Sequence, residues 1–137
     1  MATPLTKPSD LTTNNYKKAK VVALNEHIEE DVTLNIDGTT INCFASYCPY
    51  DLEVGKTYDV ELILNLSENY EIERTGKTKT LIKHTNRGYS YVLYGDLRNE
   101  ILMTFTSLNV EGIQYDHPEC NDQFIKLKVE RIDACFH

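Results

Sequence analysis

A chain of 137 residues with 41% hydrophobic and 26% charged side chains is long enough for one domain with a real core, and too apolar for intrinsic disorder. Fourteen basic against twenty-one acidic residues leave a formal net charge of −7, which disfavours general binding to nucleic acid or anionic membranes while leaving room for a local basic patch. No apolar stretch approaches the roughly 20 residues that a membrane helix requires.

The N-terminus, MATPLTKPSDLTTNN, has no apolar run behind a basic start, so we expect a cytoplasmic protein without a secretory leader or a membrane partner. In that compartment the sequon Asn65-Leu66-Ser67 is idle, and Cys43, Cys48, Cys120 and Cys135 are expected as free thiols. Residues 1–15, rich in Thr, Pro, Asn and Ser, are expected as a flexible lead-in to a single β domain over 16–137. Nine tyrosines and four phenylalanines with no tryptophan lean toward sheet.

The first strand is expected near YKKAKVVAL, where Ala19, Val21 and Ala23 alternate with Lys18, Lys20 and Val22. EEDVTLNIDGTTINCFAS follows as a hairpin. Asp37-Gly38 is the dipeptide of a type I′ turn, and if it forms the loop, Val32, Leu34 and Ile36 face Cys43, Ile41 and Thr39. Turn chemistry and hydrophobic register then agree, which strengthens both.

Gly55-Lys56 turns the chain into TYDVELILN, with Tyr58, Val60, Leu62 and Leu64 on one face and Ile63 as an exception on the other. Leu52 and Val54 are expected to tuck into the same core. A phosphate cradle needs several converging amides at a helix start, so a lone glycine here reads as a corner rather than a ligand loop.

The segment 67–88 is polar, with a turn at Thr75-Gly76, and reads as an exposed hairpin or long loop. YSYVLYGDL and ILMTFTSLNV follow as a second hairpin, with Gly95-Asp96 and Arg98-Asn99 as turn candidates. EGIQYDHPECNDQ is a loop by composition. In FIKLKVERIDACF, Ile125, Leu127 and Val129 share one parity, whereas Ile132, Ala134 and Phe136 share the other, so one extra residue near Glu130-Arg131 is expected as a β-bulge. The pattern predicts an all-β barrel or sandwich of roughly seven or eight strands with little helix. A long strand, a DG hairpin and a glycine corner into another strand are compatible with an OB-like barrel, an analogy of architecture that carries no function by itself.

Four groups of residues bear on chemistry. His117 and Cys120 have the spacing of half a zinc knuckle, but no C-x2-C accompanies them, so a metal or thiol site at 116–120 is the weakest reading and no cofactor is expected. No local signature of a cysteine enzyme surrounds any thiol, and no catalytic constellation emerges. Glu26, Glu29, Glu30 and Asp31 form an acidic shoulder without a basic residue among them, suited either to discouraging edge pairing or to docking a basic partner. Arg74, Lys77, Lys79, Lys83 and Arg87 form a basic run without an acidic residue, followed by Tyr89, Tyr91 and Tyr94. Those cations and rings would suit single-stranded nucleic acid, against a bland alternative of solvated lysines and ordinary strand tyrosines. The segregation of charge points first to a non-catalytic module that binds a protein partner or a second copy of itself, with a nucleic-acid module as the alternative.

Overall fold

The computed structural model describes residues 16–85 and 88–137, so the lead-in at 1–15 and the basic candidate Arg87 lie outside the described residues. Five strands, β1 (Tyr16–Leu24), β2 (Asp31–Ile36), β3 (Thr39–Tyr47), β4 (Thr57–Asn65) and β11 (Arg131–Phe136), close a barrel in the order β1-β2-β3-β11-β4. Its pairings are antiparallel except that of β3 with β11, which is parallel. The chain between β4 and β11 builds a second sheet from β5 (Ile72–Arg74), β6 (Ile82–His84), β7 (Tyr91–Arg98), β8 (Ile101–Met103), β9 (Ser107–Asn109) and β10 (Phe124–Val129). Its order is β5-β10-β7-β8-β9, with β6 also on β7. Helix α1 (Ile113–Asp116) and a 3-10 turn at Pro118–Cys120 interrupt the loop before β10.

The fold is all-β, as the strand pattern predicts. Seven strands run six residues or more; the other four have three residues each, too few alternating positions to be legible beforehand. No helix among the described residues is long and apolar enough to cross a membrane.

The DG hairpin forms in the predicted register, Ile36 opposite Thr39, Leu34 opposite Ile41 and Val32 opposite Cys43. Asp37 and Gly38 both take positive φ, 51° and 86°, as a type I′ loop demands. Gly55, at φ 94°, turns the corner into β4, and its N–H donates to the Val21 carbonyl (2.8 Å), so the corner is tied to β1. Leu52 packs on the core as expected, but Val54 is 60% exposed, because the corner is held along β1 instead of folding over the barrel mouth. In β1 the register slips between Val21 and Ala23, which ends the inward alternation after Val21 and leaves Val22, Ala23 and Leu24 exposed.

The second sheet decides between the alternatives at two places. Of the two turn candidates after YSYVLY, Gly95-Asp96 lies inside β7, whereas Arg98-Asn99 holds, with the reversal into β8 at Asn99, which takes φ 55°. Between β5 and β6 the chain takes the long-connection alternative rather than a hairpin, because β5 pairs with β10 while β6 pairs with β7, and residues 75–81 connect opposite sides of the β10–β7 pair. The parity slip at Glu130 is also real. Ile125, Leu127 and Val129 are buried under the second sheet, and Ile132, Ala134 and Phe136 inside the barrel. The extra residue therefore hands one long segment from one sheet to the other, where a bulge within a single barrel strand was expected.

Buried side chains of both sheets form one apolar cluster. Polar links fix the sheets to each other: the Thr106 hydroxyl donates to the Asp37 carboxylate (2.6 Å), Lys17 Nζ to Ser107 Oγ (2.8 Å), and the Asn42 N–H to Tyr91 Oη (2.8 Å). The last of these closes a gap in the barrel. β11 joins β3 only from Phe44 onward, so the Asn42 N–H has no strand partner on that side. Tyr91→Phe should lower stability by about 1 kcal/mol, because it leaves a half-buried N–H without its acceptor and does not change the ring; urea unfolding followed by circular dichroism measures it.

Candidate functional site

Two surfaces collect the predicted residues. The first is the barrel end formed by the β1–β2 loop. Asn25 shapes this loop: its Oδ1 accepts from the backbone N–H groups of His27 (2.8 Å) and Ile28 (3.0 Å). The Asn25 Nδ2 donates to Asp31 (3.2 Å), which also accepts from Asn42 Nδ2 (2.6 Å) and from the Tyr89 hydroxyl. Asp31 is thus a structural acceptor that pins the loop to β3 and to the second sheet, while Glu26, Glu29 and Glu30 are left exposed to solvent. Burial, and then the nearby Asp31 carboxylate, hold the Tyr89 hydroxyl above its ordinary pKa.

Apolar side chains on the same and the adjoining segment are exposed as well. Val22, Leu24 and Ile28 are exposed by 43%, 42% and 46%, and the backbone bond from Gly55 to Val21 brings Val54 alongside β1. Glu53 precedes it and pairs with Lys56 (2.8 Å). The sequence pointed to the acidic residues but not to these apolar ones, which alternation assigned to strand or core.

The second surface is the outer face of the second sheet. Cross-strand register places Tyr94 opposite Lys126, and Val92 opposite Lys128 on one side and Lys83 on the other. Tyr94, Val92, Lys126 and Lys128 floor a cleft of about 370 Å³, walled by Ile72, Tyr70 and His117, with Lys83 outside its lining. Tyr70 and His117 meet edge to face at 5.4 Å between ring centroids. Lys83 Nζ stands 5.9 Å from the Tyr94 ring centroid. Two glutamates rim the cleft and pair with its lysines, Glu73 with Lys126 (2.8 Å) and Glu71 with Lys128 (3.6 Å).

The basic run divides over this surface. Arg74 lies on β5 opposite Ile125, outside the cleft lining, Lys77 and Lys79 are exposed on the connection, and Lys83 returns on β6; none of these four has an ion-pair partner among the described residues. The tyrosines do not behave as the sequence implied. Tyr91 is 7% exposed with its hydroxyl occupied, and Tyr89 faces the barrel, edge-on to Phe44 at 6.1 Å, so neither offers a ring to a base. Tyr94 does. Lys126, Lys128 and Tyr70 were not singled out, because nothing local tells which strand lies beside FIKLK.

The thiols are quiet. Cys43 and Cys120 are buried, and burial, reinforced by Asp133 and Glu119 respectively, pushes both thiols above their ordinary pKa. Cys135 is also raised, by burial first. His117 faces the cleft while Cys120 points into the core, so the two predicted together are kept apart in environment. Among the described residues no three His, Cys, Asp or Glu side chains converge as a metal site would need.

No curated protein and no solved structure matches the chain. A family model does, over residues 15–137, which covers both sheets and both surfaces. The chain belongs to the family described as "Uncharacterised conserved protein UCP019853".

Proposed function

We propose that this chain is a non-catalytic protein-recognition module on an OB-like barrel, and that it docks a basic, apolar segment of a partner protein on the end carrying the β1–β2 loop. The observation that carries this reading is the mixture along this part of the chain: Val22, Leu24 and Ile28 exposed on the segment that carries Glu26, Glu29 and Glu30, with exposed Val54 on the corner tied to β1. Exposed apolar side chains supply contact area, and the exposed glutamates of the loop select the partner and steer it, Glu53 being tied to Lys56. The loop is held by Asn25 and Asp31, so its ordering cost is already met before binding. A five-stranded barrel whose β3 and β11 pair in parallel supports the OB-like description, and in such barrels the loop between the first two strands takes part in binding. Raised thiol pKa values at Cys43, Cys120 and Cys135 favour a binding role over nucleophilic chemistry.

The test is a nuclease-treated pull-down from the protein's own cell extract with three baits: wild type, Glu26→Lys/Glu29→Lys/Glu30→Lys, and Leu24→Ser/Val54→Ser. The expected result is a partner captured by wild type and recovered about tenfold less by either variant, in keeping with loss of about 1.4 kcal/mol. Identical capture by all three baits would remove this surface from consideration. Sedimentation at low and moderate salt distinguishes self-association, in which Arg74, Lys77, Lys79 and Lys83 of a second copy would meet the acidic end.

A further inference from the structure

The cleft on the second sheet is a separate site from the acidic barrel end, and its chemistry differs. We propose that it binds a nucleotide unit, the base laid on Tyr94 and the phosphate held by Lys126 and Lys128, with Lys83 completing the cationic side. Three observations converge. The cleft is concave and about 370 Å³, at the lower end of small-ligand sites, so it takes one such unit rather than a larger molecule. Its floor offers the Tyr94 ring, and its wall the crossed rings of Tyr70 and His117, as flat surfaces for a base. Lys126 and Lys128 line that floor, and Lys83, outside the lining, stands opposite Val92 with its Nζ 5.9 Å from the Tyr94 ring centroid, in a protein whose net charge is −7.

The glutamates at the rim do not close the site. Glu71 and Glu73 are the more exposed partners of their pairs, 78% and 62% against 30% and 42% for Lys128 and Lys126. The lysines are therefore the floor and the carboxylates the outer arms. Exposed ion pairs contribute little net stability, so a phosphate can take the ammonium groups while the carboxylates turn to solvent. The connection at 75–81 leaves the cleft beside Glu73 and returns at Lys83, and it carries Lys77 and Lys79 without carboxylate partners among the described residues. These two suit the further phosphates of a single strand, whereas a free mononucleotide would not need them.

The experiment is a titration of the full chain with adenosine monophosphate and with a short oligouridylate, followed by amide chemical shifts and isothermal calorimetry at two salt concentrations. Saturable binding is expected, weakened about tenfold by Tyr94→Leu and about tenfold by Lys126→Gln/Lys128→Gln, both at half-buried positions, so circular dichroism checks the fold of each variant. Binding of the mononucleotide would identify a free nucleotide as ligand. Binding of the oligomer alone, weakened further by Lys77→Gln/Lys79→Gln and by salt, would identify a single strand. Failure of both probes to bind at millimolar concentration, or binding that the Tyr94 and Lys126/Lys128 variants leave unchanged, would overturn the proposal. Neither result bears on the acidic end, whose variants leave this cleft intact.

Discussion

Replacing Gly95 with alanine should unfold the protein or lower its stability by about 3 kcal/mol or more, the upper range for forcing atoms into a packed interior. Gly95 sits in the middle of β7, opposite Ile125 of β10. A Cβ at this position would overlap the Met103 carbonyl and crowd the Thr104 Cα, both backbone atoms at the end of β8. A flexible side chain could swing aside; a backbone carbonyl cannot move unless the β8–β9 hairpin moves with it. That hairpin also carries Thr106 and Ser107, whose bonds to Asp37 and Lys17 fasten the second sheet to the barrel. The cost therefore spreads from one contact to the junction between sheets. Urea unfolding of wild type and Gly95→Ala, read by circular dichroism, gives the answer, and equal midpoints would show that the close approach is absent in solution. Gly38→Ala is the internal comparison. Nothing lies within 4 Å of a Cβ there, so its smaller penalty, of about 1 kcal/mol, comes from positive φ alone.

Phe136→Ala should destabilise the protein by about 3–5 kcal/mol, a large part of the roughly 5–15 kcal/mol that holds a typical domain together. Phe136 is fully buried, and Tyr58 of β4 packs edge-on against its ring at 5.9 Å between centroids. It lies on β11, the strand that closes the barrel by pairing with β4 along its length and with β3 in parallel. Truncation leaves a cavity where two strands meet, and neither can collapse into it without breaking pairing that the rest of the barrel enforces. Phe136→Leu fills most of that space and should recover more than half of the loss. Thermal unfolding of the two variants side by side tests this, and a melting temperature for Phe136→Ala within a degree or two of wild type would contradict the packing described.

The other end of β11 is held differently. Arg131 donates to the Asp133 carboxylate from Nε (2.6 Å) and Nη2 (3.1 Å), and its guanidinium lies 4.0 Å from the Phe44 ring centroid. Asp133 is 7% exposed, so the fork from Arg131 satisfies a carboxylate that would otherwise be costly to bury. The segment that passes from one sheet to the other at Glu130 is thus anchored immediately after the crossing.

The two candidate surfaces lie on different parts of this architecture. The acidic, apolar end belongs to the barrel, and the cationic cleft to the sheet inserted between β4 and β11. The lysines that line the cleft are paired with Glu73 and Glu71 at its rim, and the cations without an ion-pair partner among the described residues, Arg74, Lys77, Lys79 and Lys83, lie outside its lining.

How much of this was legible beforehand divides along a physical line. Local signals were reliable wherever neighbouring residues decide the outcome. Asp37-Gly38 set the turn and, through alternation, the register of β2 on β3; Gly55 set the corner; the parity change around Glu130 marked a real break. The acidic loop was visible too, as a run of carboxylates that no core accepts. What the tertiary structure alone decided concerns partners far apart in the chain. Which strand lies beside FIKLK, that Gly95 faces the Met103 carbonyl, that Tyr91 caps an Asn42 N–H, and that 75–81 is a crossing instead of a hairpin all depend on pairings closed over long loops. Period-two alternation tells which face of a strand is buried, but it is silent on the neighbour across the hydrogen bonds, because any two alternating strands are compatible at that level. The cleft is therefore a product of topology: Tyr94, Lys126 and Lys83 are ordinary outward residues on three strands until the sheet places them side by side.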